Sequence, residues 1–142
     1  MLVTKVFVLV YLLLISIIDS KTLCIPNTIL LSLFSSVFFL DIKHAYYLIP
    51  SKLITGILFF LIFFGIALFT KGLGYGDVKL IAILGYCTSF FDTIIIGLIA
   101  SGIGLLYFLL KYINKQKLQK IAFAPFLSIG YFLTELFKRC LQ

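Results

Sequence analysis

Leu53-Ile54-Thr55-Gly56-Ile57-Leu58-Phe59-Phe60-Leu61-Ile62-Phe63-Phe64-Gly65-Ile66-Ala67-Leu68-Phe69 runs for 17 residues without a charge and with a single hydroxyl. An amphipathic helix of a soluble protein keeps one polar face, and this stretch has none. As a helix it would be about 25 Å long at about 1.5 Å per residue, close to the hydrocarbon thickness of a bilayer. In hydrocarbon the backbone can satisfy its own N–H and C=O groups only as a helix or a closed barrel. The alternating polar and apolar pattern of a barrel strand is missing. The stretch reads as a membrane-spanning helix.

Working outward, five more apolar runs follow the same logic: Val3–Ile18, Ile25–Leu40, Val78–Phe91, Thr93–Leu110 and Ile121–Leu136. A span ordinarily takes about 20 residues, with about 17 as a lower limit. Several runs fall short, and Val78–Phe91 is read either as a crossing or as a re-entrant segment. The expected fold is an all-α, polytopic membrane helical bundle of about six transmembrane helices. No linker or repeat divides it, so residues 1–142 form one domain.

Composition agrees. Of 142 residues, 63% are hydrophobic and 12% charged, about half the charge of a typical soluble domain. The first run follows Lys5 as a secretory signal would. However, it ends in Asp19-Ser20-Lys21 with no small-residue cleavage site, so it is a retained first span. The formal charge of +7 sits at the ends of apolar runs, not in a basic patch with interleaved aromatics, which argues against nucleic acid. Cys24, Cys87 and Cys140 are widely spaced and His44 stands alone, so neither a disulfide framework, a metal site nor a Ser-His-Asp triad is expected.

Six crossings place the loops 19–24, 70–77 and 111–120 on one side. With flanking residues these carry Lys21, Lys71, Lys79, Lys111, Lys115, Lys117 and Lys120, against Lys5, Lys43, Lys52, Lys138 and Arg139 on the other. The positive-inside rule puts the first group in the cytoplasm.

There are five acids: Asp19, Asp41, Asp77, Asp92 and Glu135. Asp41 and Asp92 read as solvated acids in outer connections, and Glu135 as a partner of Lys138 or Arg139. Asp19 ends the first span and Asp77 opens the fourth. Two crossings separate them, so both return to one face. Ionisable groups at the edge of an apolar bundle suggest function, and two adjacent carboxylates cannot both ionise easily, so they share a proton. Capping acids near Lys21 and Lys79 are the bland alternative.

Asp77 closes Gly72-Leu73-Gly74-Tyr75-Gly76-Asp77-Val78-Lys79, whose glycines permit close backbone approach. The Walker pattern of a nucleotide loop is absent. Asp19 opens Asp19-Ser20-Lys21-Thr22-Leu23-Cys24-Ile25-Pro26-Asn27, in which Pro26 suits the start of a helix.

Together these strings resemble the type IV prepilin peptidases, bacterial GxGD aspartic proteases in which one aspartate precedes I-P-N at this spacing and a second closes G-x-G-x-G-D. Ala122-Phe123-Ala124-Pro125-Phe126, with Gly130 after it, is similar to that family's P-F-G-P-F segment, with Ala122 and Ala124 replacing proline and glycine.

The resemblance implies an intramembrane endopeptidase of the bacterial inner membrane, with Asp19 and Asp77 as its catalytic pair facing the cytoplasm. Its partners would be prepilin or pseudopilin precursors with a basic leader, a glycine and an apolar helix. Gly72, Gly74, Gly76, Lys21, Lys79, Pro26 and Asn27 would support substrate or dyad. Many members carry paired C-x-x-C motifs in an N-terminal segment and methylate the new N-terminus. Their absence here implies no S-adenosylmethionine and no other cofactor. The dipoles of their own helices favour Asp77 as the base and Asp19 as the acid. A small channel or carrier, or a non-catalytic partner in a secretion assembly, are the competing readings.

Overall fold

A computed structural model describes residues 2–70, 74–113 and 122–140. Among these the regular structure is helical: α1 (Leu2–Thr22), α2 (Asn27–His44), a 3-10 turn (Tyr46–Leu48), α3 (Ile49–Thr70), α4 (Tyr75–Cys87), α5 (Phe90–Ile113) and α6 (Ala124–Cys140). The apolar runs supply the helices and the polar breaks end them. Pro26 caps α2 in an extended conformation, as its fixed φ and missing N–H favour just ahead of a first turn.

The break between α4 and α5 differs from the expected one. The sequence assigns Phe90 and Phe91 to the fourth run, whereas the chain turns at Thr88-Ser89 and both phenylalanines begin α5. The hydroxyls explain the turn. Thr88 Oγ1 donates to Leu84 O, Ser89 Oγ pairs with the Asp92 carboxylate, and Thr93 Oγ1 donates to Ser89 O. Side chains that bond the nearby backbone end one helix and cap the next.

Neighbouring helices run antiparallel. Gly56 of α3 lies against Ala82 and Tyr86 of α4, while Phe64 of the same helix reaches Tyr75 at the other end. A methyl placed on Gly130 of α6 would come within 2.8 Å of Ile96 O on α5. Small residues at such crossings let backbones approach where lipid gives no hydrophobic push. Lys5 at the start of α1 meets Glu135 near the end of α6, and Asp19 at the end of α1 meets Ala124 at the start of α6.

The core is one cluster reaching all six helices, including Leu12 and Ile15 (α1), Leu33 (α2), Phe59 (α3), Leu80 and Leu84 (α4), Ile96 (α5) and Leu127 (α6). Much of the remaining apolar surface faces outward: Leu31 is 70% exposed and Phe69 93%. The segments Tyr46–Phe69 and Phe90–Ile113 are each long and apolar enough to cross a bilayer, and only 17% of each is buried inside the protein. Apolar surface turned outward on this scale requires lipid around it.

Candidate active site

The five acids fall into two groups at opposite ends of the bundle. At one end Lys52 Nζ donates to both Asp41 oxygens at 2.8 Å. Lys138 and Ser89 hold Asp92, and Lys5 pairs with Glu135 at 2.7 Å. This corrects the reading of all three residues. Asp41 and Asp92 are buried at 3% and 9% exposure inside helices α2 and α5, not solvated in loops. Glu135 takes its cation from α1, not from Lys138 or Arg139. Burying a carboxylate without a cation is costly, and each of the three has one.

Asp19 and Asp77 lie at the other end, and among the described residues neither is in a salt bridge. Asp19 sits in the last turn of α1 and is 5% exposed. The helix ends at Leu23, whose φ of 53° reverses the chain, and the Leu23 N–H donates to Asp19 O at 2.8 Å. That left-handed residue is an ordinary helix stop, although glycine adopts it more readily than leucine. Thr22 Oγ1 braces the turn by donating to Ile18 O and accepting from the Cys24 N–H.

Asp77 stands on the third residue of α4, after its cap Gly74. The Asp77 N–H donates to Gly74 O at 3.0 Å, and a methyl on Gly74 would sit 3.2 Å from Asp77 Oδ2. Gly76 faces the α1–α2 connection, where a methyl would stand 3.1 Å from Ile25 Cβ and 3.4 Å from Ile25 Cγ1. Its missing side chain is what lets the first turn of α4 close on Ile25 and carry Asp77 toward Asp19. Lys79, one turn along, donates to Asn27 Oδ1 at 2.9 Å and ties α4 to the start of α2. Pro26 and Asn27 thus frame the site, and Lys21 is exposed at the end of α1. Gly72 lies outside the described residues.

The two carboxyls interact. Asp77 lies ahead of the apolar run that starts at Val78, at the rim of the bundle. Burial, and then the charge of Asp19, push its carboxyl up to about 6. Asp19 Oδ2 in turn accepts the backbone N–H of Ala124 at 3.1 Å, the only buried contact between a carboxylate and a helix start among the described hydrogen bonds. The raised Asp77 carboxyl runs against the base role that its own helix dipole suggested. That expectation took no account of α6, whose N-terminus is aimed at Asp19. No group of three or more His, Cys, Asp or Glu that could hold a metal ion occurs among the described residues.

Residues 6–109 match the model of the type IV leader peptidase family, and this span holds both aspartates and their flanking strings. The chain belongs to that family. No curated protein and no solved structure matches it. As a type IV leader peptidase-type protease it is a membrane protein with peptidase machinery, and the match covers most of α1, all of α2 to α4 and most of α5. α6 lies beyond the matched span, yet it reaches the site through Ala124. The sequence reading missed that contact because a backbone N–H leaves no residue type to notice. Pro125, fixed early in a helix, was the available sign.

Proposed function

We propose that this leader peptidase is an aspartic endopeptidase that cuts the short leader from type IV prepilin-like precursors at the cytoplasmic face of the bacterial inner membrane. One observation carries the reading. The two acids left without a lysine partner among the described residues are those of the D…I-P-N and G-x-G-D strings, and Asp77 feels the charge of Asp19.

A pair sharing one proton has a base and an acid together. The ionised carboxylate takes a proton from water as its oxygen attacks the scissile carbonyl carbon. The protonated partner gives its proton to the carbonyl oxygen. Collapse of the tetrahedral intermediate breaks the C–N bond, and the amine leaves with a proton. The apolar helix of the substrate can lie in the surrounding lipid against the bundle, with its extended junction at the α3–α4 connection. Backbone pairing there would hold the scissile bond, as in strand-addition recognition.

Every acid of the chain lies in or close to a terminal turn of its helix, where a rim site needs it and a conduction path at mid-span does not. The test is cleavage of a peptide with a basic leader, a glycine and an apolar helix, by purified full-length protein in detergent. Asp19→Asn and Asp77→Asn should each abolish cleavage while the protein remains folded. Cleavage by either variant at the native rate would end the reading.

A further inference from the structure

α6 begins with a donor pointed into the site. Phe123 O accepts from the N–H groups of Phe126 at 3.1 Å and Leu127 at 3.3 Å. Phe123 is therefore the cap and Ala124 the first helical residue. Pro125 has no N–H to offer. Of the free donors that every helix start leaves, the Ala124 N–H is thus the one with a partner on another helix, Asp19 Oδ2. Ala124 is fully buried and Asp19 nearly so, so water competes little for this bond. A helix N-terminus and an N–H donor both favour a carboxylate over the neutral acid.

We propose that the first turn of α6 is a positioning element of the dyad, with the Ala124 N–H holding Asp19 as the carboxylate that activates water and leaving Asp77 to carry the shared proton. The proposal rests on the aspartic dyad proposed above.

Among the described residues, no other charge around Asp19 accounts for the preference. From α4 it meets Asp77. Lys79 of the same helix is engaged by Asn27. From α2 the first turn brings no acid and from α6 neither acid nor base, since Asp41 and Glu135 lie at the far end. On α1 itself Lys21 is exposed, and Cys24 in the connection is an exposed thiol.

Ala124→Pro removes the N–H, and proline is well tolerated at a first helical position. The readout is the pH profile of peptide cleavage by the full chain in detergent. The lower limb, which reports the first proton lost by the pair, should move up by about one unit. Cleavage below the limb should then fall about tenfold more than cleavage at the plateau. Ala124→Gly keeps the N–H and should move the limb less. An unmoved limb in Ala124→Pro, or an equal movement in both variants, overturns the proposal.

An isotope-edited infrared titration of the wild-type protein decides the matter even if the proline variant does not fold. The first carboxyl to ionise should be the one lost in Asp19→Asn. If it is the one lost in Asp77→Asn, the proposal fails. Cleavage that persists without either aspartate sinks the dyad itself, whereas a dead pair of Asn variants with an unmoved limb sinks this inference alone.

Discussion

Gly76→Ala tests how α4 is seated. The added methyl would stand 3.1 Å from Ile25 Cβ, 3.4 Å from Cγ1 and 3.6 Å from Cδ1, while carbon atoms settle at about 3.5–4.0 Å. The first turn of α4 must therefore retreat by roughly half an ångström, or Ile25 must yield. Ile25 stands between the αL stop at Leu23 and the rigid Pro26, so most of the displacement should fall on Asp77. A misplacement of about 1 Å costs on the order of a hundredfold in rate, and half of that on a logarithmic scale gives about tenfold. Stability should move the other way, because alanine favours a helix over glycine by up to about 1 kcal/mol. Peptide cleavage and a thermal melt, measured on the same detergent preparation, separate the two effects. The expected result is a slower enzyme whose melting midpoint is unchanged or higher, with Gly76→Val slower still. Wild-type cleavage by a stably folded Gly76→Ala protein would refute the claim that this contact sets the position of Asp77.

Asp77 also has a stability signature. Its folded value of about 6 lies above the ordinary 3.8 of an aspartate, so the folded state holds the proton more tightly. Stability should fall as pH rises from about 4 to about 6, by on the order of 2 kcal/mol once screening by solvent is allowed for. Asp77→Asn should lose that slope in a melt followed against pH. In the wild-type enzyme, cleavage should decline as pH climbs past about 6 and Asp77 gives up its proton, which a kcat/KM profile would read. Lys79→Ala and Asn27→Ala should each slow cleavage a few-fold at most, since their bond is exposed. The double variant should be no worse than either single one, as a double-mutant cycle would show. Asp41→Asn, which leaves the half-buried Lys52 without its carboxylate, should cost about 3 kcal/mol of stability. Cleavage per folded molecule at the far end should be unchanged.

The helices were legible because their cause is local: an uncharged run of sufficient length has one stable backbone form in lipid. Their ends were less so. Apolarity could not mark the turn between Cys87 and Phe90, which the hydroxyls of Thr88, Ser89 and Thr93 create. The pairing proposed for Asp19 and Asp77 rests in the sequence on two strings joined by an argument about crossings. The other acids were misread because their cations are distant in the chain. Lys52 is 11 residues from Asp41 and Lys138 is 46 from Asp92, while Glu135 looks adjacent to two cations and binds neither. The contact between Gly76 and Ile25 was hinted at by the glycine but not its partner, because packing across helices has no period along the sequence.

Lysine clasps at one rim and, among the described residues, two acids without a lysine at the other set the rims apart. Removing a clasp, as Asp41→Asn does, would loosen the bundle at the rim away from the proposed dyad. A substitution at the other rim, such as Asp77→Asn, would leave the clasps intact. Substitutions at the clasped rim should therefore shorten the protein's lifetime, and substitutions at the other should change its turnover.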